Sequence, residues 1–276
     1  MIHLFFLAGP LMDYHFMIKR YKIPMYFEIV RPYLIMLCSF RYAQILIGFC
    51  WFLAAMAIYL SIWVAPSDFQ QGENYRIIYV HVPAAWMSLL IYIAMAISSM
   101  LFLLTKHPLF QLFSKSGAKI GALFTLFTLL TGGFRGKPMW GTFWVWDARL
   151  TSVLILFFIY LGALHFQQFS ANVASISICI GLINIPIIKF SVNWWNTLHQ
   201  PSSISQFGTS IHISMLIPIL LILTSFFFLS GIFFILETRQ IILSFSSFSV
   251  KSQINPQNNN KKQVFFCTNN KSSKST

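Results

Sequence analysis

Six stretches of roughly 20 predominantly apolar residues recur along the chain, the length a helix needs to cross the hydrocarbon of a bilayer. They lie near 44–65, 84–105, 117–134, 149–167, 171–188 and 211–236. Inside a bilayer every backbone N–H and C=O must be paired within the protein, which leaves only helices and closed barrels. Runs of this length predict helices rather than the shorter strands of a barrel. The expected fold class is therefore an all-α integral membrane protein with six transmembrane helices. Composition agrees, since 57% of residues are hydrophobic and 9% are charged, where a soluble domain carries roughly a quarter charged.

These runs divide the chain into an N-terminal extension (1–43), a six-helix membrane domain (44–237) and a polar, basic tail (238–276) whose Ser, Asn and Lys content predicts disorder. The stretch "YLIMLCS" at 33–39 is too short to cross and is expected at the interface. The net charge of +13 is read as a topology signal and not as a nucleic-acid footprint, because basic residues gather in loops on one side of a bilayer. Six spans put both termini on one side. That side holds 14 of the 19 basic residues, and the other holds Arg76, Arg135, Lys137, Arg149 and Lys189. The positive-inside rule then predicts termini in the cytoplasm or matrix. Segments 66–83, 135–148 and 189–210 share the opposite, outer face.

Cys38, Cys50, Cys179 and Cys267 form neither a CxxC pair nor a CxxCH haem-attachment motif, so they read as spare thiols. The N-terminal residues do not have the charge order or cleavage site of a secretory signal. Abundant Phe (30 residues) and the tail's "NNNKK" hint at an AT-rich genome such as an organelle's.

The outer face concentrates unusual side chains. "YVHVPAAW" places His81 two residues before Pro83, where proline suits a first helical turn, so His81 is expected where the second span begins. "NWWNTLHQPSS" puts His199 some ten residues past the fifth span, with Trp194 and Trp195 before it. Between them "WGTFWVWDARLT" (140–151) holds three tryptophans, Phe143, Asp147 and Arg149. If 138–148 is helical, Trp140, Trp144 and Asp147 share one face at i, i+4, i+7, with Phe143 on its shoulder and Trp146 pointing elsewhere. A membrane-interface aromatic belt explains one or two tryptophans. It explains less well the charged pair Asp147 and Arg149 and the second cluster at Trp194 and Trp195. Several indoles favour a large, flat, apolar partner with charge at its edge. Haem has that shape: its iron takes axial imidazoles, and its propionates want cations, here Arg76, Arg135, Lys137 or Arg149. Asp147 would repel propionates and is expected to hold Arg149 or an indole N–H. His212, opening span six, competes with His199 as the second ligand. His107 and His165 fall on the inner side, and His3 and His15 lie in the extension.

The segments "YVHVPAAWMS", "WGTFWVWDARLT" and "WWNTLHQ", in that order, resemble the CcmC family of cytochrome c maturation, a branch of the tryptophan-rich WWD proteins. The likeness covers about 40–237, and "DARLT" matches this branch where sister proteins read closer to WGxxWxWDPxE. The resemblance implies axial ligation by His81 and His199, and places Trp140, Trp144, Trp146 and Asp147 in a haem-presenting loop. It implies haem b held non-covalently as a transported ligand and passed to the haem chaperone CcmE. The implied partners are a nucleotide-binding subunit (CcmA), a second membrane subunit (CcmB) and the small single-span CcmD. With the composition, it implies a mitochondrial inner membrane, a bacterial inner membrane being the alternative.

Two further classes compete. A b-type respiratory cytochrome holds haem between spans, but here the best histidines sit at span edges. A permease subunit should show polar or ionisable residues at bilayer depth, and the spans carry no ionisable residue near mid-depth; Lys119 and Arg149 lie at ends. Because no GxxxxGK[ST] loop is present, any ATP hydrolysis by that route belongs to a partner. No nucleophile–base set or carboxylate pair points to an enzyme.

Overall fold

A computed structural model describes residues 32–67, 72–194, 204–205, 208–209 and 212–254. The helices are α1 (Pro32–Tyr59), α2 (Ile78–Thr105), α3 (Pro108–Trp140), α4 (Ala148–Phe169), α5 (Ala171–Gly181), α6 (Asn184–Trp194) and α7 (Ile213–Ile254). Six segments, with α5 and α6 together forming one, are long and apolar enough to cross a membrane, as expected. The two-residue strands Ile204–Ser205 (β1) and Gly208–Thr209 (β2) pair antiparallel between α6 and α7. The chain divides into two compact units, 34–236 and the two terminal stretches 1–33 and 237–276.

Several boundaries differ from the sequence reading. Residues 33–39 are not a separate interfacial piece, because α1 runs unbroken through them. α7 continues to Ile254, so residues 238–254 are helical where a disordered tail was expected; the rest of the tail lies outside the described residues. The fifth span is broken at Leu182–Ile183. Pro186 has no N–H to offer the Leu182 carbonyl, and the turn closes instead through Leu182 N–H to Cys179 O (3.2 Å) and Ile185 N–H to Leu182 O (3.1 Å).

The middle of the bundle is built around two tyrosines. Tyr92 (α2) and Tyr160 (α4) are each 0% exposed, with Met95, Leu156 and Ile178 packed beside them. Their rings meet edge to face with centroids 5.3 Å apart, a favoured aromatic geometry. Each hydroxyl is satisfied: Tyr92 donates to Ile178 O (2.8 Å) and Tyr160 to Ser88 O (2.7 Å). Each ring occupies space that a glycine leaves open. A Cβ at Gly121 would lie 2.2 Å from the Tyr160 ring, and one at Gly181 would lie 2.2 Å from the Tyr92 hydroxyl. α7 joins through Ile219 and Ile222 against Ala57 and Tyr79, and through Ser225, whose hydroxyl donates to Cys50 O (3.1 Å).

Candidate functional site: a histidine and aromatic cluster at one end of the bundle

α1 ends in a π-helical turn, Leu60–Val64, closed by Ala65 N–H to Leu60 O (2.9 Å). A 3-10 turn, Glu73–Ile77, leads into α2. Arg76 ties these pieces together: its guanidinium pairs with Glu73 and donates to the carbonyls of Ser61 and Ala65, the latter at 3.4 Å. A cation on helix-end carbonyls is favourable. The structure thus gives Arg76, one of the cations considered for a propionate, a structural task.

His81 lies in the first turn of α2, and Pro83 is inside the helix rather than at its first position. The helix starts earlier than expected because the 3-10 turn supplies its lead-in. The half-buried imidazole points at α3, where its Nδ1 is 3.0 Å from Thr131 Oγ1. Gly132 is next to it, and a Cβ there would sit 3.2 Å from His81 Cε1. Arg135 and Arg149 both lie within electrostatic range of the imidazole.

The tryptophan segment is not one helix. α3 stops at Trp140, with Gly141 at φ 75° and its N–H bonded to Lys137 O at 3.0 Å. A glycine in the left-handed region is a common helix terminator because it has no Cβ to clash. Residues 141–147 are non-helical, and Asp147 is the residue preceding α4, its carbonyl accepting from Thr151 N–H (2.9 Å). Trp140, Trp144 and Asp147 therefore do not share a helix face as the spacing had predicted. Asp147 is buried and acts electrostatically on Arg149. Trp144 and Trp146 are partners, their rings edge to face at 5.8 Å, whereas Trp146 was expected to point elsewhere.

The segment folds back onto α3. The Phe143 carbonyl passes 3.2 Å from where a Cβ of Gly133 would be, and Trp140 lies over Gly136 (2.8 Å). Phe143 meets Phe134 edge to face at 6.1 Å and lies under Lys137 Nζ at 4.9 Å. Leu129, Leu130, Gly133, Phe134, Phe143 and Trp144 line a cleft of about 420 Å³. The Trp144 Nε1–H is buried with no hydrogen-bond acceptor among the described residues, a donor that a ligand oxygen would satisfy. At about 3.6 residues per turn, the face of α3 carrying Thr131 and Gly132 is opposite the face carrying the cleft. The imidazole and the cleft are therefore separated by the end of α3, with Trp146 (81% exposed) and Phe143 (54%) open to the surroundings.

His199 and Trp195 lie outside the described residues, and so does the side chain of Trp194. His212, the competitor, is exposed and works as a helix cap: Leu216 N–H bonds its carbonyl (3.2 Å), and Ser214 N–H points at its Nδ1 (3.3 Å). His107 and His165 are at the opposite end, against Phe110 and Phe169 respectively, near where Lys106 Nζ donates to Asn172 Oδ1 (3.0 Å). Sequence reasoning missed Thr131 and the glycines 132, 133 and 136. The run "GGFRG" just before the tryptophans was the visible signal for the glycines.

Fold and site together define a six-span membrane protein with a seated imidazole, cations and an exposed aromatic surface at one end. The chain belongs to the heme exporter protein C (CcmC) family, whose family model matches residues 25–252. Among its relatives, a cytochrome c biosynthesis ccmC-like mitochondrial protein of Marchantia polymorpha is 89% identical over 229 residues, covering 83% of this chain and 100% of the relative. The equivalent protein of Arabidopsis thaliana is 67% identical over 227 residues, 82% of this chain and 89% of the relative. Heme exporter protein C of Escherichia coli K12 is 42% identical over 205 residues, 70% of this chain and 83% of the relative.

Proposed function

We propose that this chain binds haem b non-covalently at the His81 end of the bundle and presents it to the haem chaperone CcmE during cytochrome c maturation. The observation that carries this reading is the seating of His81: its Nδ1 is engaged by Thr131, its ring lies against Gly132, and Arg135 and Arg149 stand nearby. A histidine held through one ring nitrogen keeps the other for a metal. In this reading His81 and His199 are the axial ligands, Arg149 holds a propionate, and Asp147 holds Arg149. Trp140, Trp144 and Trp146, with Phe143, offer the apolar surface on which the porphyrin is received and shown to the chaperone. The names of the relatives support the cargo and the pathway, and the mitochondrial relatives support residence in the mitochondrial inner membrane. The charge distribution supports termini in the matrix and the His81 end facing the intermembrane space. CcmA, CcmB and CcmD are the proposed partners in the membrane, and the ATP-dependent step belongs to CcmA.

The competing reading is a permease that carries haem through itself. The filled middle of the bundle favours presentation: Tyr92, Tyr160, Leu156 and Ile178 are each 0% exposed, and both tyrosine hydroxyls are bonded across helices. The test is haem delivery by the purified chain in proteoliposomes of known orientation, with the chaperone outside. Haem added to the His81 face should reach the chaperone without nucleotide, and haem enclosed on the other side should stay there. Passage of enclosed haem to the chaperone through this chain alone would replace presentation by transport.

A further inference from the structure

We propose that Thr131 is the positioning residue of the haem site: its hydroxyl sets the tautomer and the heading of the His81 imidazole, leaving Nε2 as a bare lone pair for the iron. The inference deepens the reading above and rests on it only for the identity of the metal ligand.

The argument is a count of protons. Thr131 Oγ1 lies 2.8 Å from Phe127 O and 3.2 Å from Thr128 O, both carbonyls of its own helix. Carbonyl oxygens only accept, so the single hydroxyl hydrogen goes to them, the usual back-bond of a helical threonine. What Oγ1 turns toward His81 Nδ1, 3.0 Å away, is then a lone pair. Two lone pairs at that distance repel, so Nδ1 carries the ring's hydrogen and donates it. A neutral imidazole has one N–H and one acceptor nitrogen, so Nε2 is left unprotonated. Gly132 completes the seat, since any Cβ there would press at 3.2 Å on Cε1, the carbon between the two nitrogens.

The same count gives His212 the opposite tautomer. Its Nδ1 faces the Ser214 hydroxyl at 2.8 Å, which can give or accept a hydrogen, and Ser214 N–H at 3.3 Å, which can only give one; Nδ1 therefore accepts and the hydrogen is on Nε2. Of the two histidines described at this end, one is held ready to ligate through Nε2 and the other is committed to capping α7.

The experiment uses the full chain in lipid nanodiscs, labelled with 15N-histidine and free of haem, with the His81 signals assigned by difference against His81→Gln. Wild type should show protonated Nδ1 and unprotonated Nε2 at His81. Thr131→Ser, which keeps the hydroxyl, should preserve that pattern. Thr131→Val keeps the shape and loses the oxygen; it should introduce the Nε2–H tautomer as a second population and weaken haem binding by about tenfold, the lower end of what losing such an outer partner costs. An Nε2–H tautomer in wild type overturns the proposal, as does a Val variant whose tautomer or haem affinity is unchanged. If the tautomers behave as stated but wild type and His81→Gln take up haem with the same spectrum, Thr131 still sets the ring and it is the ligand assignment that falls.

Discussion

The middle of the bundle and its His81 end use one device for different purposes. In both, a ring occupies the space that a glycine leaves on a neighbouring helix: Tyr160 at Gly121 and Tyr92 at Gly181 in the middle, His81 at Gly132 at the end, where Trp140 also covers Gly136 of its own helix. In the middle the rings are wholly buried and their hydroxyls bonded across helices, so nothing remains for a ligand. At the end the glycines seat the backbone side of each group and leave apolar surface open, most of all at Trp146 and Phe143. The contrast separates scaffold from site. Rings whose every polar atom is used hold helices together; a ring with a free lone pair or face at an open end is available for chemistry.

The comparison can be broken by substitutions at either place. The largest effect belongs to Gly121→Ala, whose Cβ would come within 2.2 Å of the edge of the Tyr160 ring. It should cost about 3 kcal/mol, the upper range for overpacking, read as a lowered thermal transition in detergent with haem lost only along with the fold. Tyr160→Phe keeps the ring and removes the hydroxyl that donates to the Ser88 carbonyl across helices, for an expected loss of about 1 kcal/mol and an unchanged haem spectrum. At the other place the signs reverse. Trp146→Ala should leave the thermal transition within about 0.5 kcal/mol, as exposed positions do. Haem binding should nevertheless weaken by about two- to tenfold, the equivalent of one lost aromatic contact. Gly132→Ala needs His81 to give way by only a few tenths of an ångström, so haem affinity should fall a few-fold while stability holds. A stability loss at Trp146 as large as that at Gly121 would erase the distinction.

The fold was largely legible because bilayer length is a coarse requirement that composition alone meets. All six spans were visible, and the differences fell at their ends and at the break inside the fifth. The helix break after Trp140 was written in the Gly that follows it and in the Asp before "ARLTS", a stop signal and a start signal; the i, i+4, i+7 spacing of Trp140, Trp144 and Asp147 concealed both. His81 and Arg149 could be picked out by residue type and edge position. Thr131 could not, because a threonine inside an apolar helix declares no partner. Its role exists only where α2 lays His81 against that turn of α3. The packing of Tyr92 and Tyr160 against glycines in other helices was invisible for the same reason: contacts between distant segments leave no local pattern.

The central claim is that iron is ligated at the end of the bundle where His81 is seated. Its most direct test is the absorption spectrum of the detergent-purified protein titrated with haem, for wild type and for His81→Ala, His199→Ala and His212→Ala. The account predicts a six-coordinate low-spin spectrum in wild type and in His212→Ala, and its loss in the other two. Four variants that take up haem alike, or a spectrum lost only in His212→Ala, would contradict it.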